Sequence, residues 1–168
     1  MIALRRAAAA DVDWLLDLYT SDEVEPFLSG RGARDREAIA GDVERSEREP
    51  EAFGQMVIEV DGHRAGALQY REVNAPSRIV HLGGLAVHPG FRGQRLADDA
   101  ARLAQRYLVR ELGYHRIELA CFGYNERAIA HAERVGFVRE GVKRKAYLRH
   151  GEWQDAVQFA LLAEELPN

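Results

Sequence analysis

The sequence predicts an α/β protein of the mixed α+β class, with helices packed on a mixed sheet. Three observations lead to this class. Apolar residues recur at helical spacing after residue 93, alternating segments flank an Asp61-Gly62 turn, and strand patterns both precede and follow the helical ones. The chain has 168 residues, 46% of them hydrophobic, which is enough for one sizeable core. We therefore expect residues 1–168 to form a single domain.

The first 50 residues predict one strand and two helices. Ile2 to Arg6 is typical of a short strand, and Asp11 is expected to cap a helix with an apolar stripe over residues 14–19. A second, weakly amphipathic helix is predicted around Arg34 to Glu47. Variable, substrate-facing structure is expected between residues 21 and 50.

Three strands and a long helix are predicted in the middle of the chain. Asp61-Gly62 supplies the positive backbone angles of a tight hairpin turn between the first two strands. A helix follows from about Gly93 to Leu112, where Gly113 ends it. The strands are Phe53 to Val60, Arg64 to Val73 and Arg78 to Val87.

The last third predicts three strands and one helix. His115 to Phe122 alternates as a strand does, and Asn125 is expected to cap a helix that runs to about Val135. Two closing strands are predicted at Phe137 to Glu140 and Asp155 to Leu162, with a turn near His150-Gly151.

Composition restricts the class of protein. The net charge of −4 argues against a general grip on nucleic acid and permits a cationic substrate, for which the acids Glu23, Glu25 and Glu72 are candidates. Cys121 is the lone cysteine and lies in an apolar run, which favours a buried thiol. No apolar stretch approaches the roughly 18 residues of a membrane span, and the first residues do not resemble a signal peptide. We expect a cytoplasmic protein that binds neither membrane nor nucleic acid.

A short loop before the long helix carries the strongest chemical signal. It contains two arginines and Gly93, and it leads directly into a helix start, where free N–H groups and the helix dipole favour an anion. Gly93 permits close approach of a phosphate, while Arg92 and Arg95 can add charge-assisted hydrogen bonds. The pattern predicts a diphosphate site, although such loops also serve only to turn the chain.

Other phosphate motifs and metal sites are excluded. A P-loop requires a lysine that this loop lacks, and a Rossmann fingerprint requires two further glycines. The sequence contains no cysteine and histidine cluster with metal-ligand spacing, so no metal is expected.

From Val80 to Phe137 the sequence resembles the GNAT superfamily of N-acetyltransferases, most closely its branch of ribosomal-protein and polyamine N-acetyltransferases. The family loop pattern is Arg/Gln-x-x-Gly-x-Gly/Ala, and here it is Arg92-Gly93-Gln94-Arg95-Leu96-Ala97, with Arg95 in place of the central glycine. Downstream, Asn125-Glu126-Arg127-Ala128 is similar to the family's Asn-x-x-Ala helix start. Glu133-Arg134-Val135-Gly136-Phe137 is similar to its Gly-Phe ending.

The resemblance implies a fold and a cofactor. The sheet would be mostly antiparallel, with splayed central strands and helices on both faces, and the cosubstrate would be acetyl-CoA. The strand before the loop would offer its backbone to the pantetheine arm. Asn125 would contact the cofactor, although the same side chain suits a plain helix cap. The implied cofactor-binding residues are Leu85, Ala86, Val87, Arg92, Gly93, Gln94, Arg95, Leu96, Ala97, Asn125 and Ala128.

Proton transfer needs a base, because a primary amine is mostly protonated at neutral pH. His81 is the candidate, since the family places a catalytic glutamate or histidine at this strand position. Strand alternation would put His81 on the same face as Val87. A structural role for this histidine remains open.

The family's acid is a tyrosine, but that position is Ala132 here, which leaves Tyr124 or His131 as substitutes.

The sequence therefore predicts an N-acetyltransferase that transfers acetyl from acetyl-CoA to a primary amine by direct attack in a ternary complex. The acceptor would be a small molecule or a protein N-terminus. A homodimer is a further expectation from the resemblance. The alternative is a non-catalytic acyl-CoA sensor of the same fold, which the departures at Arg95 and Ala132 favour.

Overall fold

The computed structural model describes residues 1–28 and 34–167. A seven-stranded sheet forms the centre of the molecule, in the spatial order β1-β2-β3-β4-β5-β7-β6. All neighbouring strands are antiparallel except β4 and β5, which are parallel. The strands are β1 Ile2–Arg6, β2 Phe53–Val60, β3 His63–Asn74, β4 Ile79–Val87, β5 Arg116–Phe122, β6 Val138–Arg149 and β7 Glu152–Leu162.

Four helices pack against this sheet. Helix α3 continues into a π-helical turn, Tyr107–Glu111. The helices are α1 Val12–Thr20, α2 Arg36–Arg48, α3 Leu96–Arg106 and α4 Glu126–Arg134. The mixed α/β fold class is confirmed, with its mostly antiparallel sheet.

The helices cover both faces of the sheet because alternate strand residues are apolar on both sides. On one face Ile58, Leu68 and Val80 pack with the apolar stripe of α3 and with α4. On the other face Val57 and Ala67 pack with α1 and α2. These two layers hold the central strands between them and leave the carboxyl ends of β4 and β5 accessible.

Most predicted elements occur at or near their predicted bounds. The Asp61-Gly62 turn has φ angles of 49° and 80°, as a tight hairpin requires. Asp11 occupies the predicted N-cap position of α1, but the expected capping hydrogen bond from its side chain is absent. Its buried carboxylate instead accepts hydrogen bonds from Arg5 and from the backbone N–H of Ala8.

The closing hairpin is longer than predicted. β6 runs to Arg149 although its residues are mostly exposed and charged, because β7 supplies its hydrogen-bond partners along most of its length. His150 and Gly151 form the turn, with φ angles of 49° and 80°. Residues 29–33, within the region predicted to face the substrate, lie outside the described residues. In the described residues no helix is both long and apolar enough to cross a membrane.

Candidate active site

The two central strands separate soon after they begin. β4 pairs with β5 only where Ile79, Val80 and His81 lie beside Arg116, Ile117 and Glu118. Beyond this point β4 keeps β3 as a neighbour on one side, while its other edge faces a gap. The splayed central strands implied by the resemblance are therefore confirmed, and they expose backbone hydrogen-bonding groups of β4.

A β-bulge lies at the point of separation. Gly83 is opposite Gln69 and Ala86 is opposite Ala67, so two residues of β4 face one residue of β3. Gly84 has a φ of 60°, a left-handed conformation that glycine adopts without steric cost. The bulge turns the rest of β4 relative to its first half.

The bulge changes which side chains share a face of the sheet. The prediction that His81 and Val87 lie on the same face was therefore wrong. Val80 and Val87 both belong to the core under α3, although simple alternation would place them on opposite faces. His81 lies in register with Arg71, on the opposite face from Val80. Its side chain is therefore on the α1 and α2 side of the sheet.

A cleft of about 430 Å³ occupies the gap between the strands and extends to the starts of α3 and α4. This volume is within the range of small-molecule sites. Gln94 is exposed and does not line it. The candidate cofactor residues that line the cleft are Leu85, Ala86, Val87, Arg92, Gly93, Arg95, Leu96, Ala97, Asn125 and Ala128.

The loop before α3 presents backbone N–H groups to this cleft. Gly93 and Arg95 have φ angles of 86° and 55°, and the helix begins at Leu96 rather than near residue 93. Within residues 1–28 and 34–167, the amide groups of residues 93–97 have no hydrogen-bond acceptor. Such consecutive free amides at a helix start favour an anion.

The side chain of Arg92 has its partner in the segment that follows α1. Its Nη1 lies 2.9 Å from Oε2 of Glu23, and its Nη2 donates to the Glu23 carbonyl oxygen at 3.0 Å. Glu23, Val24, Phe27 and Leu28 line the same cleft. Arg92 therefore joins the loop before α3 to the segment after α1.

The start of α4 forms another part of the cleft wall. Asn125 accepts the Ala128 N–H through Oδ1 at 3.1 Å, which confirms the helix cap. Ala132, at the family tyrosine position, is buried and lines the cleft.

Burial raises the pKa of the Cys121 thiol to about 11, so this cleft residue is protonated and a poor nucleophile near neutral pH.

The two candidate acids are both engaged elsewhere. The hydroxyl of Tyr124 donates to the Pro26 carbonyl at 2.6 Å, and this residue does not line the cleft. Nδ1 of His131 lies 2.9 Å from Oδ1 of Asp98, and burial lowers the pKa of the imidazole. His131 lines the cleft while Asp98 holds its Nδ1, and Tyr124 lies outside the cleft lining.

His81 lines a second, smaller cavity of about 110 Å³ on the α1 and α2 face. The two cavities share Gly83, Gly84 and Ala120, so they meet at the strand separation. The imidazole lies against Gly83, where an added Cβ would come within 3.1 Å of Nε2. The structure thus places the candidate base beside the point where cleft and cavity join.

Three polar residues of the small cavity were missed as candidates: Arg34, Gln69 and Arg71. Arg71 lies opposite His81 on β3, and Gln69 lies opposite Gly83. The pairing register of β3 and β4 brings Gln69 and Arg71 beside His81 and Gly83, and Arg34 reaches the cavity from the segment before α2. No motif in the sequence signals them.

A match to a known protein family decides to which family the chain belongs. A model of the acetyltransferase (GNAT) family matches residues 13–137, well over half of the chain. This chain belongs to the GNAT acetyltransferase family. The GNAT match includes the split strand β4, the loop before α3 and α4, and it ends at Phe137.

Individual GNAT relatives are more distant. Spermidine N(1)-acetyltransferase of Escherichia coli is 27% identical over 111 residues, which are 66% of this chain and 59% of that protein. A ribosomal-protein alanine N-acetyltransferase of Escherichia coli is 32% identical over 78 residues, covering 46% of this chain and 40% of that protein. The chain thus spans less than two thirds of the length of these relatives.

A solved GNAT structure resembles the whole fold. The spermidine N-acetyltransferase of Vibrio cholerae, solved with CoA and spermine, has a TM-score of 0.88 and 20% sequence identity. The similarity covers 99% of this chain and 98% of that one. At this identity the likeness establishes the fold. In residues 1–28 and 34–167, no three metal-ligating side chains cluster as a metal site would require.

Proposed function

We propose that residues 1–168 form one acyltransferase domain that transfers acetyl from acetyl-CoA to a primary amine. This proposal rests on one observation: the cleft contains both an unpaired strand edge and a helix start with free amides. The open edge of β4 leads directly to the free amides at the start of α3. A long cofactor with a diphosphate at one end and an amide-containing arm at the other is complementary to both.

The loop residues would hold the diphosphate. The backbone N–H groups of residues 93–97 have no acceptor among the described residues and would bind the diphosphate, to which the dipole of α3 would add about 0.3–1 kcal/mol for a charge at its N-terminus. Arg95 lines the cleft beside them and supplies positive charge. Arg92 contributes to the wall through its pair with Glu23, and would contact phosphate after exchanging that partner.

The split strand would hold the arm. The backbone of Leu85, Ala86 and Val87 borders the cleft, and the edge of β4 facing β5 has no strand partner there. An extended chain with amide groups can add to such an edge as another strand would. Asn125 would contribute its amide NH₂ while its oxygen caps α4.

Acetyl-CoA supplies the activated acetyl group, and His81 prepares the amine. Its imidazole lies where the two cavities meet and would accept the proton of the ammonium, directly or through water. Backbone N–H groups near Val87 would polarise the carbonyl. The protonated state of the Cys121 thiol disfavours a covalent acyl-enzyme and supports direct attack by the amine.

Tyr124 remains the predicted acid, but its hydrogen bond to Pro26 leaves solvent as the simpler proton donor to the leaving thiolate.

A homodimer and a cytoplasmic location also stay predictions. The named activities of the relatives suggest polyamines or protein N-termini as acceptors, and the test must therefore include both.

Release of free thiol from acetyl-CoA, measured against a panel of amines and peptides, tests the proposal. We expect release that depends on the acceptor. Calorimetry with CoA provides the second measurement. Binding without release by any acceptor would support the sensor alternative, and folded protein that neither binds CoA nor releases thiol would contradict both.

The base assignment has its own test. His81→Gln should lower kcat/KM about 10²-fold or more near neutral pH, because a positioned base typically contributes 10²–10⁴-fold. The loss should shrink at higher pH as more amine is already neutral. Unchanged turnover of this variant from pH 6 to 9 would remove His81 as the base and leave the family assignment intact.

A further inference from the structure

Gln69 is a polar residue of the small cavity that takes no part in the proposed proton transfer. It lies opposite Gly83 in the register of β3 and β4, and it lines the cavity. Its Cβ and Cγ atoms both lie 3.8 Å from the position that a Cβ would occupy at Gly84. The side chain therefore begins beside the bulge, where the large cleft and the small cavity meet.

Asp42 fixes the orientation of the Gln69 amide. Nε2 of Gln69 lies 2.9 Å from Oδ2 of Asp42 and 2.5 Å from Oε1 of Gln55. An ionised carboxylate can only accept hydrogen bonds, so the atom of Gln69 that faces it must be the NH₂ nitrogen. This NH₂ group has two hydrogens, and the two acceptors use both of them.

The hydrogen bonds continue in the same direction to the bulge. Since Oε1 of Gln55 accepts from Gln69, the Gln55 Nε2 faces the other way and donates to the Tyr19 hydroxyl at 3.0 Å. The Tyr19 hydroxyl donates in turn to the Gly84 carbonyl oxygen through a long hydrogen bond of 3.5 Å. Gln55 and Tyr19 are buried, so this network holds the bulge and the Gln69 amide in a fixed relation to each other.

The network leaves one hydrogen-bonding group of Gln69 for the cavity. Both N–H groups are used, and Oε1 has no donor in the described part of the chain, which omits residues 29–33. The residue is half-buried and lines the cavity. What Gln69 can offer there is a carbonyl oxygen, which accepts hydrogen bonds and cannot donate them.

We infer that Oε1 of Gln69 accepts an N–H of the acceptor amine and thereby selects primary over secondary amines. This inference rests on the proposed acetyl transfer. A neutral primary amine has two N–H bonds and a lone pair, which forms the new bond to the acetyl carbon. The C–S bond breaks, its electron pair leaves with the thiolate, and one proton of the amine goes to His81. The second N–H stays on the nitrogen and becomes the N–H of the product amide.

The sheet register places both groups beside Gly83. Gln69 lies opposite Gly83 on β3, and Nε2 of His81 would lie 3.1 Å from a Cβ at Gly83. An amine nitrogen held there can direct one N–H to each group. Positive charge grows on this nitrogen as it attacks, so its hydrogen bond to Gln69 strengthens in the transition state. A secondary amine has a single N–H and cannot serve both groups.

Two analogues that join CoA to an amine test the inference. In the first, the CoA sulfur carries a CH₂–CO–NH-propyl group. In the second, a methyl group replaces the hydrogen on the amide nitrogen. Calorimetry should find that the N–H analogue binds about 10-fold more tightly, because the N-methyl analogue leaves the Gln69 oxygen without a donor. Equal affinity of the two analogues for the wild-type protein would overturn the inference.

Gln69→Met supplies the site-specific evidence, because it keeps the length of the side chain and removes the amide. It should weaken the N–H analogue about 10-fold and leave the N-methyl analogue within about 2-fold. A difference that persists in this variant would be steric and would contradict the role of Gln69. Gln69→Leu carries the same expectation if Gln69→Met unfolds. Gln158→Met, at a half-buried glutamine that lines neither cavity, is the matched control and should keep the difference.

Turnover separates this inference from the acetyl-transfer proposal. Thiol release is compared for propylamine and N-methylpropylamine, each corrected for its neutral fraction, and propylamine should have a kcat/KM about 10-fold higher. Tighter binding of the N–H analogue supports the inference even if neither amine releases thiol, and then only the catalytic proposal fails. Thiol release together with equal binding of the two analogues contradicts the inference alone. Failure of both analogues to bind would remove the inference and the cofactor site together.

Discussion

Arg95 stands where the family loop has glycine, and its backbone explains why glycine is usual there. Its φ of 55° is left-handed, which costs a residue with a Cβ about 1–2 kcal/mol. In this conformation Arg95 occupies the N-cap position of α3, which starts at Leu96, and both residues line the cleft. The chain therefore adopts at Arg95 a backbone conformation that suits glycine, while carrying a positive charge there.

Arg95→Gly should stabilise the protein by about 0.5–1 kcal/mol, because relief of strain exceeds the extra chain entropy of glycine. The measurement is urea unfolding. Arg95→Ala is the matched variant, since it removes the same side chain and keeps the strain. A glycine variant no more stable than the alanine variant would contradict this account of the loop.

Two glycines offer a contrast in packing. A Cβ at Gly54 would lie 2.0 Å from the buried Tyr70 ring, whereas a Cβ at Gly41 would meet nothing within 4 Å. Gly54→Ala should destabilise by about 1–3 kcal/mol through overpacking. Gly41→Ala, inside α2, should stabilise by up to about 1 kcal/mol. Thermal unfolding of both variants tests this, and equal shifts would refute it.

Helices α3 and α4 are joined by one buried carboxylate. Asp98 accepts hydrogen bonds from Arg134 at 2.6 and 2.8 Å and lies 2.9 Å from Nδ1 of His131. The Arg134 guanidinium, followed by His131, holds the pKa of Asp98 well below its usual range. This connection fixes the two helices that border the cofactor cleft.

Asp98→Asn should lower stability by about 1–3 kcal/mol at pH 7, where the ionised carboxylate is fully stabilising. Because the folded-state pKa is depressed, the contribution is complete above the unfolded pKa of about 3.9 and is lost as pH falls from there through the folded-state pKa. Urea unfolding should show the same gap to wild type at pH 7 and 5 and a narrower gap at pH 3. Asp99→Asn, at an exposed neighbour, should show little difference at any pH.

At the same scale, the sequence predicted most elements but not their irregularities. Turn residues such as Asp61-Gly62 and the cap Asn125 act locally, so their effects are readable from neighbours in the chain. The bulge at Gly84 is different. It depends on how β4 pairs with β3, and it overturned the expected side of His81.

The whole molecule is a sheet opened along one seam, with the large cleft and the small cavity meeting at the opening. Among the described residues the two share Gly83, Gly84 and Ala120. If the cleft holds the cofactor as proposed, an amine in the small cavity would reach the acetyl group at these residues. The proposed direct transfer would then need no covalent intermediate.

CoA binding should stabilise the entire fold, because the cleft includes residues from β4, β5, α3 and α4. At 100 times its dissociation constant, CoA should add about 2.7 kcal/mol to the free energy of unfolding. Pantetheine at the same concentration should add much less, because it lacks the diphosphate that residues 93–97 would bind. Equal stabilisation by both compounds, measured by denaturant unfolding, would contradict the proposed diphosphate site.

The sequence by itself determined the fold class and the position of the loop before α3, because periodicity, turn chemistry and helix starts depend on neighbours along the chain. The family followed from the resemblance of its motifs, which the family match confirmed. Only the tertiary structure decided the face of His81, the partner of Arg92 and the set of residues that lines the small cavity. These properties depend on strand register and on residues distant in sequence, such as Glu23 and Arg71. Local patterns cannot specify them, since moving a strand by one residue exchanges its faces.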